Sequence, residues 1–256
     1  MSEQQSEQPL RNSRNIKLTL AYDGTRYHGF QRQQNALAIQ EIVETRLAFL
    51  FGHPLKIAGA GRTDTGVHAY GQVISFTTTG SIPVGNIPRA ARGLLPDDIV
   101  VLQAEEVDAG FHARFSAQSK IYEYRIHQSP VADPFLRNYS WHIGQTLDSE
   151  QMHIAVQAIV GTHDFSAFRA SGSAPVNPVR TILAASCTQS GTQIQFSFWG
   201  TGFLYHMVRN LVGTLVNVGR GKLTVEQFSA VLQSCDRHQA GATAPPQGLY
   251  LKEVHY

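Results

Sequence analysis

The stretch "GAGRTDTGVHAYGQV", Gly59 to Val73, decides how this chain is read. It sets Asp64 between two threonines, two residues after Arg62, in a glycine-rich segment. Apolar residues near Leu55 to Ala58 and from Gln72 to Thr77 predict a strand on either side, so the motif is a loop between two strands. Several explanations fit such a loop. Gly59, Gly61 and Gly66 can serve tight turns, with Asp64 accepting from backbone N–H groups. The "DTG" of Asp64 to Gly66 also occurs in aspartic proteases, which need two carboxylates sharing a proton. This chain has one DTG, and an arginine nearby would hold the carboxylate ionised. His53, Asp64 and His68 are conceivable metal ligands, but their spacing fits no standard site. Finally, Asp64 can be a lone nucleophile that attacks an electron-poor carbon. That role needs a cation and a water-poor pocket. Arg62 is adjacent in sequence. Arg209 lies at the edge of a later apolar helical stripe, where an arginine can face either a cleft or bulk water.

Composition bounds the setting. The chain has 256 residues, 42% hydrophobic and 16% charged, with a net charge of +2. That is enough for one large domain or two modest ones with a sizeable core. The charge is unevenly distributed. No acid occurs between Asp164 and Glu226, a span carrying Arg169, Arg180, Arg209, Arg220 and Lys222. Such a span makes either a positive face able to meet phosphates or a weakly charged core segment with solvated arginines. Cys187 and Cys235 have no CxxC spacing and read as reduced thiols of a cytoplasmic protein. The start, "MSEQQSEQPLRNSR", has no apolar core and reads as a disordered tail over residues 1–14 rather than a signal peptide. No apolar run approaches the ~20 residues of a membrane span.

Working outward, Ile16, Leu18, Leu20 and Tyr22 alternate as a strand before a "DG" turn. Ile39, Ile42, Val43, Leu47, Leu50 and Phe51 recur at helical spacing, closed by Gly52. A short helix near Ile87 to Gly93 and a strand near Ile99 to Val107 follow. Beyond them, Tyr122, Tyr124 and Ile126 share one strand face. Asp148 is an expected N-cap, with Gln151 at the capping-box position and Leu147 and Met152 as a hydrophobic staple. That helix is expected to reach Gly161. Ile194, Phe196 and Phe198 mark a core strand. Leu204, Met207, Val208, Leu211, Val212 and Leu215 form a helical stripe. Thr224 caps a last helix through Leu232, and a short strand covers Leu251 to Val254. The whole is an α+β protein: subdomains 15–115 and 116–256 sharing a mostly antiparallel sheet, joined near Phe115 to Ser119, with chemistry in the cleft between them.

The motif and its neighbours resemble the tRNA pseudouridine synthase A (TruA) family. "AGRTDTGVHAYGQV" is similar to its signature, with Thr65 in place of the usual Ala. In the same order come "YDGTRYHGFQRQ" (Tyr22 to Gln33, with Phe30 where Trp is common), "FHARFSA" (Phe111 to Ala117) and "YEYRI" (Tyr122 to Ile126). "GTHDFSAFR" (Gly161 to Arg169), "FLYHMVRNLVGTL" (Phe203 to Leu215) and "GLYL" (Gly248 to Leu251) complete the set. The resemblance covers nearly everything after Asn15. It implies isomerisation of uridine to pseudouridine in the tRNA anticodon stem-loop, at positions 38 to 40, with no cofactor, metal or redox partner, by a homodimer of two related α+β halves. Asp64 matches the catalytic aspartate and Arg209 its paired arginine. Tyr122 matches the tyrosine packed on the target base, Arg62 the arginine that holds the flipped nucleotide out, and Leu249 an apolar residue of the base pocket. A tRNA-binding scaffold or chaperone without turnover is the alternative on the same residues.

Overall fold

A computed structural model describes residues 13–170 and 177–256. Most of the expected N-terminal tail lies outside the described residues. The first strand, β1 (Arg14–Tyr22), buries Ile16, Leu18, Leu20 and Tyr22 on one face, as its alternation requires. Helix α1 (Ile39–Phe51) buries Ile39, Val43 and Leu47 and stops at Gly52, which takes the left-handed conformation. Strand β2 is only Ala58–Gly59, shorter than expected, and pairs with β3 (His68–Thr78). Strand β3 starts four residues before Gln72, so the second half of the opening motif is strand rather than loop. Helix α2 (Ile87–Arg92) and strand β4 (Ile99–Val107) follow.

Strand β5 (Ser119–Gln128) is succeeded by the short β6 (Trp141–Ile143) and by α3 (Ser149–Gln157). Asp148 caps α3, its carboxylate accepting from Gln151 N–H at 2.9 Å. The reciprocal bond expected of a capping box is absent, and α3 ends at Gln157 rather than near Gly161. Leu147 and Met152 are buried as a staple would be and close on Gly219. Strand β7 (Gly161–Asp164) pairs with β8 (Val179–Ser190), a long strand that the sequence reading did not contain. A register shift between Ile182 and Ala184 breaks its alternation, and its buried face includes the small residues Ala185 and Cys187. Strand β9 (Gln193–Gly200), helix α4 (Met207–Gly219), helix α5 (Val225–Ser234) and strand β10 (Leu249–His255) complete the fold. Thr224 and Gln227 make the full reciprocal capping box on α5.

The strands form one sheet in the order β4-β1-β3-β10-β5-β9-β8-β7, with β2 beside β3 and β6 beside β5. All neighbours are antiparallel except β10 with β3 and β5 with β6. The architecture is α+β. Tyr122, Tyr124 and Ile126 face Phe198, Phe196 and Ile194 across the β5–β9 pair. They join residues of all five helices in one continuous core. The sheet's other face leaves Tyr70 and Trp199 partly in solvent. No helix of the described residues is long and apolar enough to cross a membrane.

The two thiols differ sharply. Cys187 is buried, which pushes its pKa up to about 12, whereas Cys235 is exposed. Mass spectrometry after iodoacetamide treatment is expected to find one modified cysteine, Cys235, in the folded protein and two after denaturation.

Candidate active site

The loop between β2 and β3 is held from three sides. Ala60 N–H donates to Val73 O at 2.8 Å, continuing the β2 pairing. The Gln72 amide donates to Gly61 O at 2.8 Å. Thr63 shares a hydrogen bond with the Tyr22 hydroxyl at 2.8 Å, and its carbonyl accepts from Phe30 N–H at 3.0 Å. Val67 N–H then donates to Asp64 O at 3.1 Å, closing a four-residue turn in which Gly66 has φ 75°. That turn needs glycine at its third position. So Asp64 is a turn residue through its backbone, but its carboxylate accepts from no backbone N–H among the described residues.

That carboxylate points instead to α4. Arg209 Nη1 donates to Asp64 Oδ2 at 3.0 Å, both side chains being mostly shielded from solvent. Arg209 is itself fixed, because its Nε donates to Ala244 O at 2.8 Å. A guanidinium held at one edge presents the other in a set direction. His206 is a third member. It stands at the N-cap of α4 with φ 61°, unusual for a residue with a side chain, and its Nε2 lies 3.4 Å from Asp64 Oδ2. Its ring lies tilted against that of Tyr205, with centroids 4.0 Å apart. Burial pushes the His206 pKa down; Asp64 opposes this, and Arg209 and Arg237 add to it.

Tyr122 lies beside this loop. It is buried, meets the edge of Phe203 at 4.9 Å, and its hydroxyl would lie 3.7 Å from a Cβ on Gly61. The hydroxyl has no hydrogen-bond partner among the described residues. Burial, then the nearby Tyr22 and Asp64, push its pKa above the usual phenol range. Leu249 is buried at the start of β10, opposite Tyr124 in register, while Leu251 stands opposite Tyr122. These four side chains therefore share one face of the sheet. Arg62 is exposed and makes no ion pair among the described residues. The structure thus joins Asp64 to Arg209 directly, sets Tyr122 against the same loop, and leaves Arg62 at its rim.

His53 and His68 are engaged away from Asp64. The His53 ring contacts Pro54 O and Thr78 Oγ1, and the His68 ring contacts Gly24 N and Asn138 O. Arg209 and Arg220 stand eleven residues apart, at opposite ends of α4, about 16 Å along its axis. The helix between them is almost entirely buried.

The sequence matches the tRNA pseudouridine synthase family over residues 19–116 and 155–256. The chain belongs to that family. It is 46% identical to tRNA pseudouridine synthase A of a Thermoanaerobacter species over 243 residues, covering 95% of this chain and 100% of that protein. It is 47% identical to tRNA pseudouridine synthase A of an Exiguobacterium species over 243 residues, covering 95% of this chain and 98% of that protein. The protein of the same name from Lacticaseibacillus casei is 46% identical over 243 residues. As a pseudouridine synthase, the chain is an isomerase acting on tRNA. Within that family setting, His206 is the site residue the sequence reading missed. Its place in "FLYHMVRN", just before an apolar helical stripe, marks a helix start. Nothing local shows that this helix start abuts the Asp64 loop.

Proposed function

We propose that this pseudouridine synthase acts on the anticodon stem-loop, at positions 38 to 40, with Asp64 as nucleophile toward a uridine flipped out of the stack. The observation that carries the proposal is the Asp64–Arg209 pair at 3.0 Å, shielded from solvent and near a buried tyrosine whose hydroxyl has no partner among the described residues. The arginine holds the carboxylate in one direction, as attack on a single carbon requires. The carboxylate adds to the ribose C1′ or to the uracil ring. The C1′–N1 bond breaks, uracil turns, a C5–C1′ bond forms, and the C5 proton leaves as Asp64 is released. Tyr122 gives the extruded base an aromatic surface, worth ~1–3 kcal/mol, toward the few kcal/mol of unstacking. Leu249 lines the same pocket, and Arg62 at the rim helps to hold the flipped nucleotide out. The protein works as a cytoplasmic homodimer, with 15–115 and 116–256 as the two subdomains flanking the cleft.

The test is tritium release from tRNA labelled at uridine C5, with pseudouridine mapped in the product. Release from positions 38 to 40 is expected. Binding without release would instead support a tRNA scaffold. Arg209→Lys is expected to lower the single-turnover rate about a hundredfold with little change in tRNA affinity, since one amine cannot hold both Ala244 O and Asp64. Single-turnover rates alongside filter binding measure both quantities.

A further inference from the structure

Lys120 is a partly buried lysine without an anion among the described residues. The other partly buried lysine, Lys17, faces Glu105 at 3.3 Å, and even the more exposed Lys252 faces Glu123 at 2.8 Å. The Lys120 amine has no hydrogen bond or ion pair among the described residues. Burial, and then the charge of Arg114, another cation, push the ammonium pKa down. The Arg114 guanidinium lies over the Phe115 ring at 5.5 Å and has no carboxylate partner among the described residues. Two adjacent cations with no acid are unfavourable unless an anion joins them.

Position says which anion. Lys120 precedes Tyr122 by two on β5, so both side chains leave the same face of the strand. A Cβ on Gly61 would lie 3.8 Å from Lys120 Nζ and 3.7 Å from the Tyr122 hydroxyl. The amine therefore stands against the catalytic loop on the side of the base platform. Across β9 its partner in register is Gly200, which has no side chain to cover it.

We propose that Lys120, with Arg114 beside it, seats a backbone phosphate adjoining the target uridine. This rests on the reading of Asp64 and Tyr122 given above. A phosphodiester one step from a base stacked on Tyr122 brings a single negative charge to two cations that have no acidic partner among the described residues.

The test reads binding, so it does not depend on turnover. Stem-loop RNA affinity is measured across a salt series for wild type, Lys120→Met and Lys120→Arg. It is then measured with RNA in which each phosphate flanking the target is replaced singly by a neutral methylphosphonate. Lys120→Met is expected to weaken binding about tenfold and to reduce the salt slope by about one, with Lys120→Arg close to wild type. One methylphosphonate should weaken wild type by the same factor and leave Lys120→Met unaffected. An unchanged salt slope in Lys120→Met, or equal weakening of both proteins by every neutral linkage, overturns the proposal. Should Lys120→Met fail to fold, wild type and Lys120→Arg against the same RNAs still decide it, because indifference of wild type to both neutral linkages overturns it. If RNA binds with these signatures but no pseudouridine forms, the catalytic reading fails and the phosphate seat stands.

Discussion

Asp64→Asn is expected to abolish pseudouridine formation, by about four orders of magnitude or more, while tRNA affinity stays within a few-fold. Asparagine keeps the size of the side chain, and its oxygen can still accept from Arg209. What it loses is the charge and the ability to form and release a covalent bond. Single-turnover tritium release gives the rate, and filter binding gives the affinity. Retained turnover would remove Asp64 from the chemistry and leave the loop as a turn. Loss of binding in parallel with turnover would make Asp64 a structural residue of the cleft.

The second large effect concerns stability. Gly213 lies in the middle of α4, and a Cβ there would stand 1.8 Å from Ala242 O. The approach is mutual: a Cβ on Gly241 would stand 2.7 Å from Gly213 O. Between these contacts the Thr214 hydroxyl accepts from Gly241 N–H at 2.9 Å, and Ala244 N–H donates to Arg209 O at 3.0 Å. Helix α4 and the 241–244 segment are thus locked backbone to backbone, and this lock aims Arg209 at Asp64. Gly213→Ala must push the segment away. A loss of about 3 kcal/mol or more is expected, with a fall in Tm of about 10 °C. Gly85→Ala, where a Cβ meets nothing within 4 Å, is the control and should leave Tm nearly unchanged. If Gly213→Ala melts like the control, the lock contributes little.

Local signals were legible where period and chemistry agreed. The alternation of Ile16, Leu18 and Leu20 and the stripe through Leu211 and Leu215 each identified an element and its buried face. The Thr224 cap was readable for the same reason, since its partners lie within one turn. Strand β8 was not legible, because its register shift and small buried residues carry no clean period of two. The α3 boundary was misjudged because apolar residues continue to Val160 after the helix has ended. In the site, Asp64 stood out by motif, but its bond to Arg209 joins residues 145 positions apart. No spacing rule reaches that far, so the pairing came from the family resemblance. His206 carried no motif signal of its own: its role depends on a left-handed backbone and on a loop that packs against it from the other end of the sequence.

The central place of β10 bears on how the chain is made. Synthesis reaches residues 249–255 only after every other strand, yet these residues lie between β3 and β5. Until then, one flank of β3 and one flank of β5 offer unpaired backbone groups, and a ribosome-bound chain must carry two open edges. The proposed base pocket closes late too, since Leu249 belongs to the same strand. A nascent chain that stalls just short of residue 249 would already hold Asp64, Tyr122 and Arg209, but not the strand that brings its two open edges together.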